Sequence, residues 1–318
     1  MKTIFSQSTN PYFNLAWEEY IFKHVQSEED ILLLWINEPS VIIGRNQNIF
    51  EEVCQNYTSL HHIPIIRRIS GGGTVFHDLG NLNFSVMTNQ YKDAISNYKY
   101  FTQPVVDCLK ELGINATFSG KSDICINELK ISGNAQSYHQ NRMLHHGTLL
   151  FSSNLDQLNH IIKKTTHDIE SFGVKSNRSN VTNILNALET PMSIDDFKEY
   201  LLKFWLKTDQ PLAKALFLND IDLEAINLLM ETKYQTWDWN YGESPAFEIK
   251  KAMKQYMIHI KVDSGLIEDF IYFDGEIHHQ MKNFIGIHFD KESYIDKVSH
   301  SGENFKKPLQ SFSSLLFD

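Results

Sequence analysis

Leu15, Trp17, Ile21, Phe22 and Val25 recur at helical spacing, with Asn14 ahead of them as a capping residue and Glu18 and Glu19 in the first turn. This pattern predicts an amphipathic helix over 15–25. The period then shortens. Ile31–Ile36, Ser40–Ile43, 63–67 and 82–87 are β-rich runs punctuated by Pro39, Gly44, Asn46 and a glycine triplet, which predicts strands joined by tight loops. A second helix is expected over 97–112, closed by Gly113, followed by short strand-like pieces at Ala116–Ser119, 124–126, 130–132 and 147–151. From Leu155 to about Tyr234 the spacing is mostly helical, as in 193–207, where Ser193 and Asp196 form a capping box. The run Trp237-Asp238-Trp239-Asn240-Tyr241-Gly242-Glu243-Ser244-Pro245 breaks that period and marks a domain boundary. Beyond it, 247–262 and Leu266–Phe273 are strand-like around the turn Asp263-Ser264-Gly265, and two weaker helical stretches finish a small α+β tail. The expected division is 1–242 and 243–318.

Charge narrows the possible partners. With 29 Lys+Arg against 39 Asp+Glu in 318 residues, the net charge of −10 excludes a protein that grips nucleic acid or anionic lipid through bulk charge. Hydrophobic content of 42% and aromatic content of 12% describe a folded chain. Cys54, Cys108 and Cys125 form neither a CxxC nor a paired framework, which points to a reducing compartment. No apolar signal region opens the chain and no run approaches a membrane span, so a cytoplasmic protein without a membrane anchor is expected.

The segment most suggestive of chemistry is Arg67-Arg68-Ile69-Ser70-Gly71-Gly72-Gly73-Thr74-Val75-Phe76-His77-Asp78-Leu79-Gly80-Asn81, set between two strands. Successive glycines let backbone N–H groups close on an anion, and the adjacent arginines supply charge, so the segment suits phosphate. It is neither a Walker A loop nor a dinucleotide GxGxxG. A second group comprises Gly120-Lys121-Ser122-Asp123, then Lys130-Ile131-Ser132-Gly133-Asn134-Ala135 and His145-His146-Gly147-Thr148. A lysine between small residues can touch a phosphoryl and a carbonyl oxygen together, and Asp123 is a candidate partner for an amine or Mg2+. The histidine pairs 61/62, 145/146 and 278/279 have no zinc spacing. Cys125 lies in the apolar alternation Ile124-Cys125-Ile126, the setting of a packed thiol rather than a nucleophile.

Taken together, these residues resemble the lipoate–protein ligase A family of the biotin/lipoate ligase superfamily. The likeness runs through FNLAWEE, GRNQN, RRISGGGTVFHDLGN, GKSD, KISGNAQ, HHGTLL, VKSNRSNVTN and the WDWNYGESPAF junction. It implies an α+β fold in which a large catalytic domain of mixed, largely antiparallel sheets flanked by helices carries a small α+β C-terminal domain. The reaction it implies has two steps: ATP and lipoate give lipoyl-AMP and pyrophosphate, then a lysine ε-amine on a lipoyl domain takes the acyl group. Acceptors would be 2-oxoacid dehydrogenase E2 subunits and the glycine cleavage H protein.

Carried over by position, the family's roles give Arg68 to the ATP phosphates and Gly73, Thr74, Val75 and Phe76 to the nucleotide. Lys130 would touch both the lipoyl carbonyl and the α-phosphate, as the catalytic residue. Asn81 and Asp123 would sit at the nucleotide and Mg2+ end. Ser70, His77, Ala135, His146 and Gly147 would line the lipoyl side, with Glu19 closing the tunnel. Thr74 and Asn134 depart from the Ala and Ser common in the family, small changes that tune the pocket. One rival reading is an ATP-independent octanoyl or lipoyl transferase working through a Cys125 thioester; another is a biotin ligase, whose GRGRxGR-type loop is absent. A third is a binding module without catalysis, disfavoured because Arg68, the glycines and Lys130 are all present. Lys121, Arg142, Lys175 and Arg178 are candidates for a positive acceptor-docking patch, and 242–245 for a hinge.

Overall fold

The computed structural model describes residues 1–89, 96–120, 122–162, 169–177 and 179–317. Helix α1, Pro11–His24, begins earlier than the apolar spacing alone suggests. Pro11 occupies the first helical turn, where its missing N–H is harmless, and the Asn10 side chain caps Tyr12 N and Phe13 N. Asn14 is therefore inside the helix, buried, with its amide on Ser8 O, Ile36 O and Asn37 Oδ1. Glu18 and Glu19 move to mid-helix, and both are buried.

A seven-stranded sheet forms the platform. Numbered along the chain, its members are β1 (Lys2–Thr3), β2 (Ile31–Ile36), β6 (Asn81–Thr88), β7 (Ala116–Ser119), β8 (Asp123–Ile126), β9 (Leu129–His139) and β10 (Arg142–Leu150). They are ordered β1-β2-β6-β10-β9-β8-β7, antiparallel except for the β1–β2 pair. The central β6 alternates strictly: Leu82, Phe84 and Val86 enter the core beneath, whereas Asn81, Asn83 and Ser85 occupy the other face. Three further strands, β3 (Ser40–Ile43), β4 (Ile65–Arg67) and β5 (Val75–His77), make a small sheet in the order β4-β3-β5, and the glycine triplet connects β4 to β5. The β8–β9 hairpin turns through Asn127 and Glu128, both left-handed.

The C-terminal sheet contains β12 (Phe247–Met253), β13 (Tyr256–Asp263), β14 (Leu266–Phe273) and β15 (His278–Gln280), and its edge is completed by β11 (Ile169–Ser171). Ile169 pairs with Ile249 and Ser171 with Phe247, so a boundary at 242 would part β11 from the rest of its sheet. The reason for the pairing is the open edge of β12, whose backbone groups need partners. Its core is also shared: Val41, Ile49, Phe50 and Phe76 pack in one cluster with Ile249, Ile260 and Phe270. No helix among the described residues is long and apolar enough to cross a membrane.

The 237–245 segment, expected as the domain boundary, is held by Arg67. This fully buried side chain donates to the carbonyls of Gly44, Arg45, Gln47, Trp239 and Asn240 and to Ser244 Oγ. Asn240 Oδ1 accepts from Arg67 N, and Trp239 Nε1 donates to Arg67 O.

Candidate active site

Two cavities meet above the β9–β10 floor. The larger, of about 590 Å³, borders Leu15, Trp35, Ile42, Arg68, His77 and His146; the smaller, of about 180 Å³, borders Phe76, Leu150, Leu158, Ile162 and Val181. Thr74, Val75, Lys130, Gly133, Thr148 and Ser176 belong to both, so Lys130 stands where the two lobes join. Its position follows from the β8–β9 hairpin, which pairs Cys125 with Lys130 across an irregularity and sets Asp123 opposite Gly133. The Lys130 ammonium lies 3.0 Å from Asp123 Oδ1, partly open to solvent, a pair available to an incoming anion. A Cβ at Gly133 would lie 3.0 Å from Lys130 Cε and Nζ, a tight contact that would press on the ammonium.

The glycine loop forms the wall facing Lys130. Gly72 is left-handed, with φ of +87°, and its carbonyl packs so closely on Gly44 that no Cβ fits there. Arg68 sits inside the loop, with Nε on Ser70 Oγ at 3.0 Å and Nη2 on Gly71 O at 2.6 Å and Gly73 O at 2.8 Å. Burial lowers the Arg68 guanidinium to about 10 despite Glu18 nearby, so it stays cationic at neutral pH. Ser176 closes the far side: its hydroxyl accepts from Thr74 N at 3.0 Å and Gln47 Nε2 at 2.9 Å and donates to Glu52 Oε2 at 2.5 Å.

Most of the residues expected at the site border these lobes: Arg68, Gly73, Thr74, Val75, Phe76, His77, Asp123, Lys130, Ala135, His146 and Gly147. Three do not. Ser70 is buried behind the loop, where its Oγ lies 2.6 Å from His146 Nε2, so it orients the wall instead of forming it. Asn81 is fully buried and reaches the cavity only through Asn83, donating to its Oδ1 at 2.9 Å. Glu19 turns away to Lys23, Lys233 and Tyr234, because adjacent helical residues point about 100° apart. Burial pushes its carboxyl up, but Lys233, Lys23 and Tyr234 outweigh that and hold it below the usual range. The neighbouring Glu18 points the other way and lies buried behind His146, accepting from His146 Nδ1 at 2.9 Å and Ser85 Oγ at 2.5 Å.

Trp35, Asn83, Gln47, Glu52 and Ser176 were also missed, although Gln47 and Ser176 fall inside GRNQN and VKSNRSNVTN. Arg142, expected on a docking surface, is instead buried and donates to Ile21 O and Val25 O at the end of α1. Lys175 is exposed and pairs with Glu51; Lys121 and Arg178 lie outside the described residues.

Comparison with known proteins follows this geometry. The model of the lipoyl protein ligase A/B catalytic domain matches residues 10–205. The chain belongs to the lipoate–protein ligase family. Lipoate–protein ligase 1 of Staphylococcus aureus is 44% identical over 96% of this chain and 92% of its own, and the Bacillus subtilis lipoate–protein ligase LplJ is 39% identical over 96% and 95%. Three solved structures share a TM-score of 0.63 and 28% identity over 76% of this chain: a Thermoplasma acidophilum lipoate protein ligase with bound lipoic acid, a lipoate–protein ligase A bound with ATP, and a bi-partite T. acidophilum ligase studied with its E2 lipoyl domain. They are covered over 98%, 98% and 95% of their own lengths.

This ligase is an ATP-dependent enzyme, and the transferase alternative is not favoured. Cys125 agrees: it is 8% exposed, and burial pushes its thiol above the ordinary range, away from the thiolate that a transferase needs. Among the described residues no group of three or more His, Cys, Asp or Glu side chains is placed to hold a metal. Asp123 is the carboxylate beside Lys130, 3.0 Å from its ammonium.

Proposed function

We propose that the larger lobe takes the lipoyl group, the smaller lobe takes the adenine end of ATP, and the carboxylate meets the α-phosphate at Lys130. The observation that carries this reading is that Lys130 is common to both lobes. In the first step a lipoate oxygen attacks the α-phosphorus, the bond to the β-phosphate oxygen breaks, and pyrophosphate leaves. Lys130 stabilises the charge that develops on both partners, and Arg68 adds its field while keeping the loop N–H groups in place. Asp123 would hold a Mg2+ ion, which would offset phosphate charge.

In the second step the neutral ε-amine of an acceptor lysine attacks the acyl carbon, AMP leaves with the bonding electrons, and the nitrogen loses its proton. Enclosure of the anhydride keeps water from that carbon. The T. acidophilum ligase studied with its E2 lipoyl domain supports lipoyl domains as acceptors; E2 subunits and the glycine cleavage H protein are the partners inferred, in the cytoplasm. Exposed Lys175 would face an acidic acceptor.

The test is pyrophosphate release from ATP and Mg2+, with and without lipoate and with no acceptor present. Release that requires lipoate supports the reading; transfer from a lipoylated carrier without ATP, lost in Cys125→Ser, overturns it.

A further inference from the structure

One chain of hydrogen bonds crosses β9 and β10 and ends beside Lys130. Ser96 N donates to Gln136 Oε1 at 3.2 Å, and Gln136 Nε2 donates to His145 Nδ1 at 3.2 Å. His145 Nε2 then donates to Asn134 Oδ1 at 3.3 Å, and Asn134 Nδ2 to the Ser122 carbonyl at 2.7 Å. Backbone groups fix the direction from both ends. A backbone N–H can only donate, so Gln136 meets Ser96 with its oxygen and turns its amide nitrogen to His145. A backbone carbonyl can only accept, so Asn134 meets Ser122 with its nitrogen and turns its oxygen to His145. Both ends therefore demand the same ring, neutral and protonated on Nε2. Burial, with His146 adding to it, lowers His145 to about 3, so the ring is neutral at working pH. Stacking on Phe101, with ring centroids 4.7 Å apart, holds it in place.

The far end of the chain lies next to the reacting groups. Ser122 is in the connection from β7 to β8, and its carbonyl belongs to the peptide that leads into Asp123, the first residue of β8. Asp123 is the last rung of the ladder, opposite Ser119 on one side and Gly133 on the other. Strand ends open most readily, so a side-chain hold just beyond the last rung limits that opening. Asp123 Oδ1, which also accepts from Ser122 Oγ at 3.2 Å, is the oxygen that meets the Lys130 ammonium. Asn134 borders the larger lobe, but its amide is spent within the protein, since Nδ2 donates to Ser132 Oγ at 3.1 Å as well. Gly147 makes room for it: a Cβ there would lie 2.1 Å from Asn134 Oδ1.

We propose that His145 and Asn134 are positioning residues for adenylation, which hold the Ser122–Asp123 peptide so that Asp123 keeps the Lys130 ammonium at the junction of the two lobes. The inference rests on Lys130 serving adenylation there. Neither side chain touches substrate; each acts through Asp123.

The test uses Asn134→Leu, which removes both polar ends with little change of volume and no added charge, and His145→Phe, which keeps the stacking on Phe101. Amide hydrogen exchange around Asp123 should speed up about 10-fold in Asn134→Leu and by a smaller factor in His145→Phe. In lipoate-dependent pyrophosphate release, kcat should fall about 10-fold and about 3-fold respectively, with KM for ATP and for lipoate within about 3-fold of wild type. Each substitution is then combined with Asp123→Asn, where it should add less than about 2-fold, because its route to Lys130 is already cut. Unchanged kcat in folded Asn134→Leu, or separate factors that multiply in full on Asp123→Asn, would overturn the inference. If Asn134→Leu does not fold, His145→Phe decides by the same two criteria. Absence of lipoate-dependent release in wild type is a different failure: it removes the ligase reading, whereas the exchange measurement still reports on the chain itself.

Discussion

Arg67 and Arg68 are neighbours in sequence and serve two regions of opposite character. Arg67 faces the junction with the C-terminal sheet, where every guanidinium nitrogen is engaged by backbone carbonyls or Ser244 Oγ. Arg68 braces the glycine loop, also fully engaged, beside a cavity whose Lys130–Asp123 pair stays partly open to solvent. The contrast separates two uses of polarity. A saturated network fixes a shape, and a solvent-open pair stays available to a ligand.

That contrast can be broken experimentally. Arg67→Met strands several buried carbonyls and should lower the unfolding free energy by about 3–5 kcal/mol, measured by denaturant titration, while the surviving folded enzyme keeps its turnover. A large loss of turnover at unchanged stability would show that the junction belongs to the chemistry. Acid provides the next effect. Burial lowers both His77 and His145 to about 3, so below about 6.5 the unfolded chain takes up protons that the folded chain refuses. Stability should fall as pH drops from about 6.5 towards 3, by about 1.4 kcal/mol per pH unit for each histidine, and His-to-Gln variants should flatten the slope. A smaller effect is expected at the nucleotide side. Glu52→Gln weakens the charged hydrogen bond that holds Ser176 over the loop and should raise KM for ATP about 10-fold with little change in kcat. Cys125→Ser should change neither pyrophosphate release nor transfer by more than about 2-fold, since its thiol is buried and disfavoured as thiolate.

The same contrast explains what could be read before the structure. Local signals served well where one element carries the information: the β-rich run of β6, the capping box at Ser193, the Asp263-Ser264-Gly265 turn and the glycine loop all match the observed elements. Site residues within quoted motifs largely reached the cavity, because a motif retains its own local geometry. The misses involve direction and distance. Glu18 and Glu19 cannot be told apart until the facing strand supplies Ser85 and His146 to one and the 230–234 turn supplies Lys233 and Tyr234 to the other. Asn14 reads as a cap because its burial against Asn37 depends on a strand end far along the chain. Likewise β11 joins a sheet whose other members begin at Phe247, a pairing set by an open edge rather than by any local pattern.

The central claim is that one lysine serves both lobes. Wild type and Lys130→Ala should be compared for binding of ATP and of lipoate separately, and for pyrophosphate release when both are present. The account predicts that the variant still binds each substrate within about 10-fold of wild type but releases pyrophosphate at least 100-fold more slowly, since the lost donor acts where charge develops. Release at the wild-type rate with only one substrate's affinity reduced would contradict it, confining Lys130 to a single lobe.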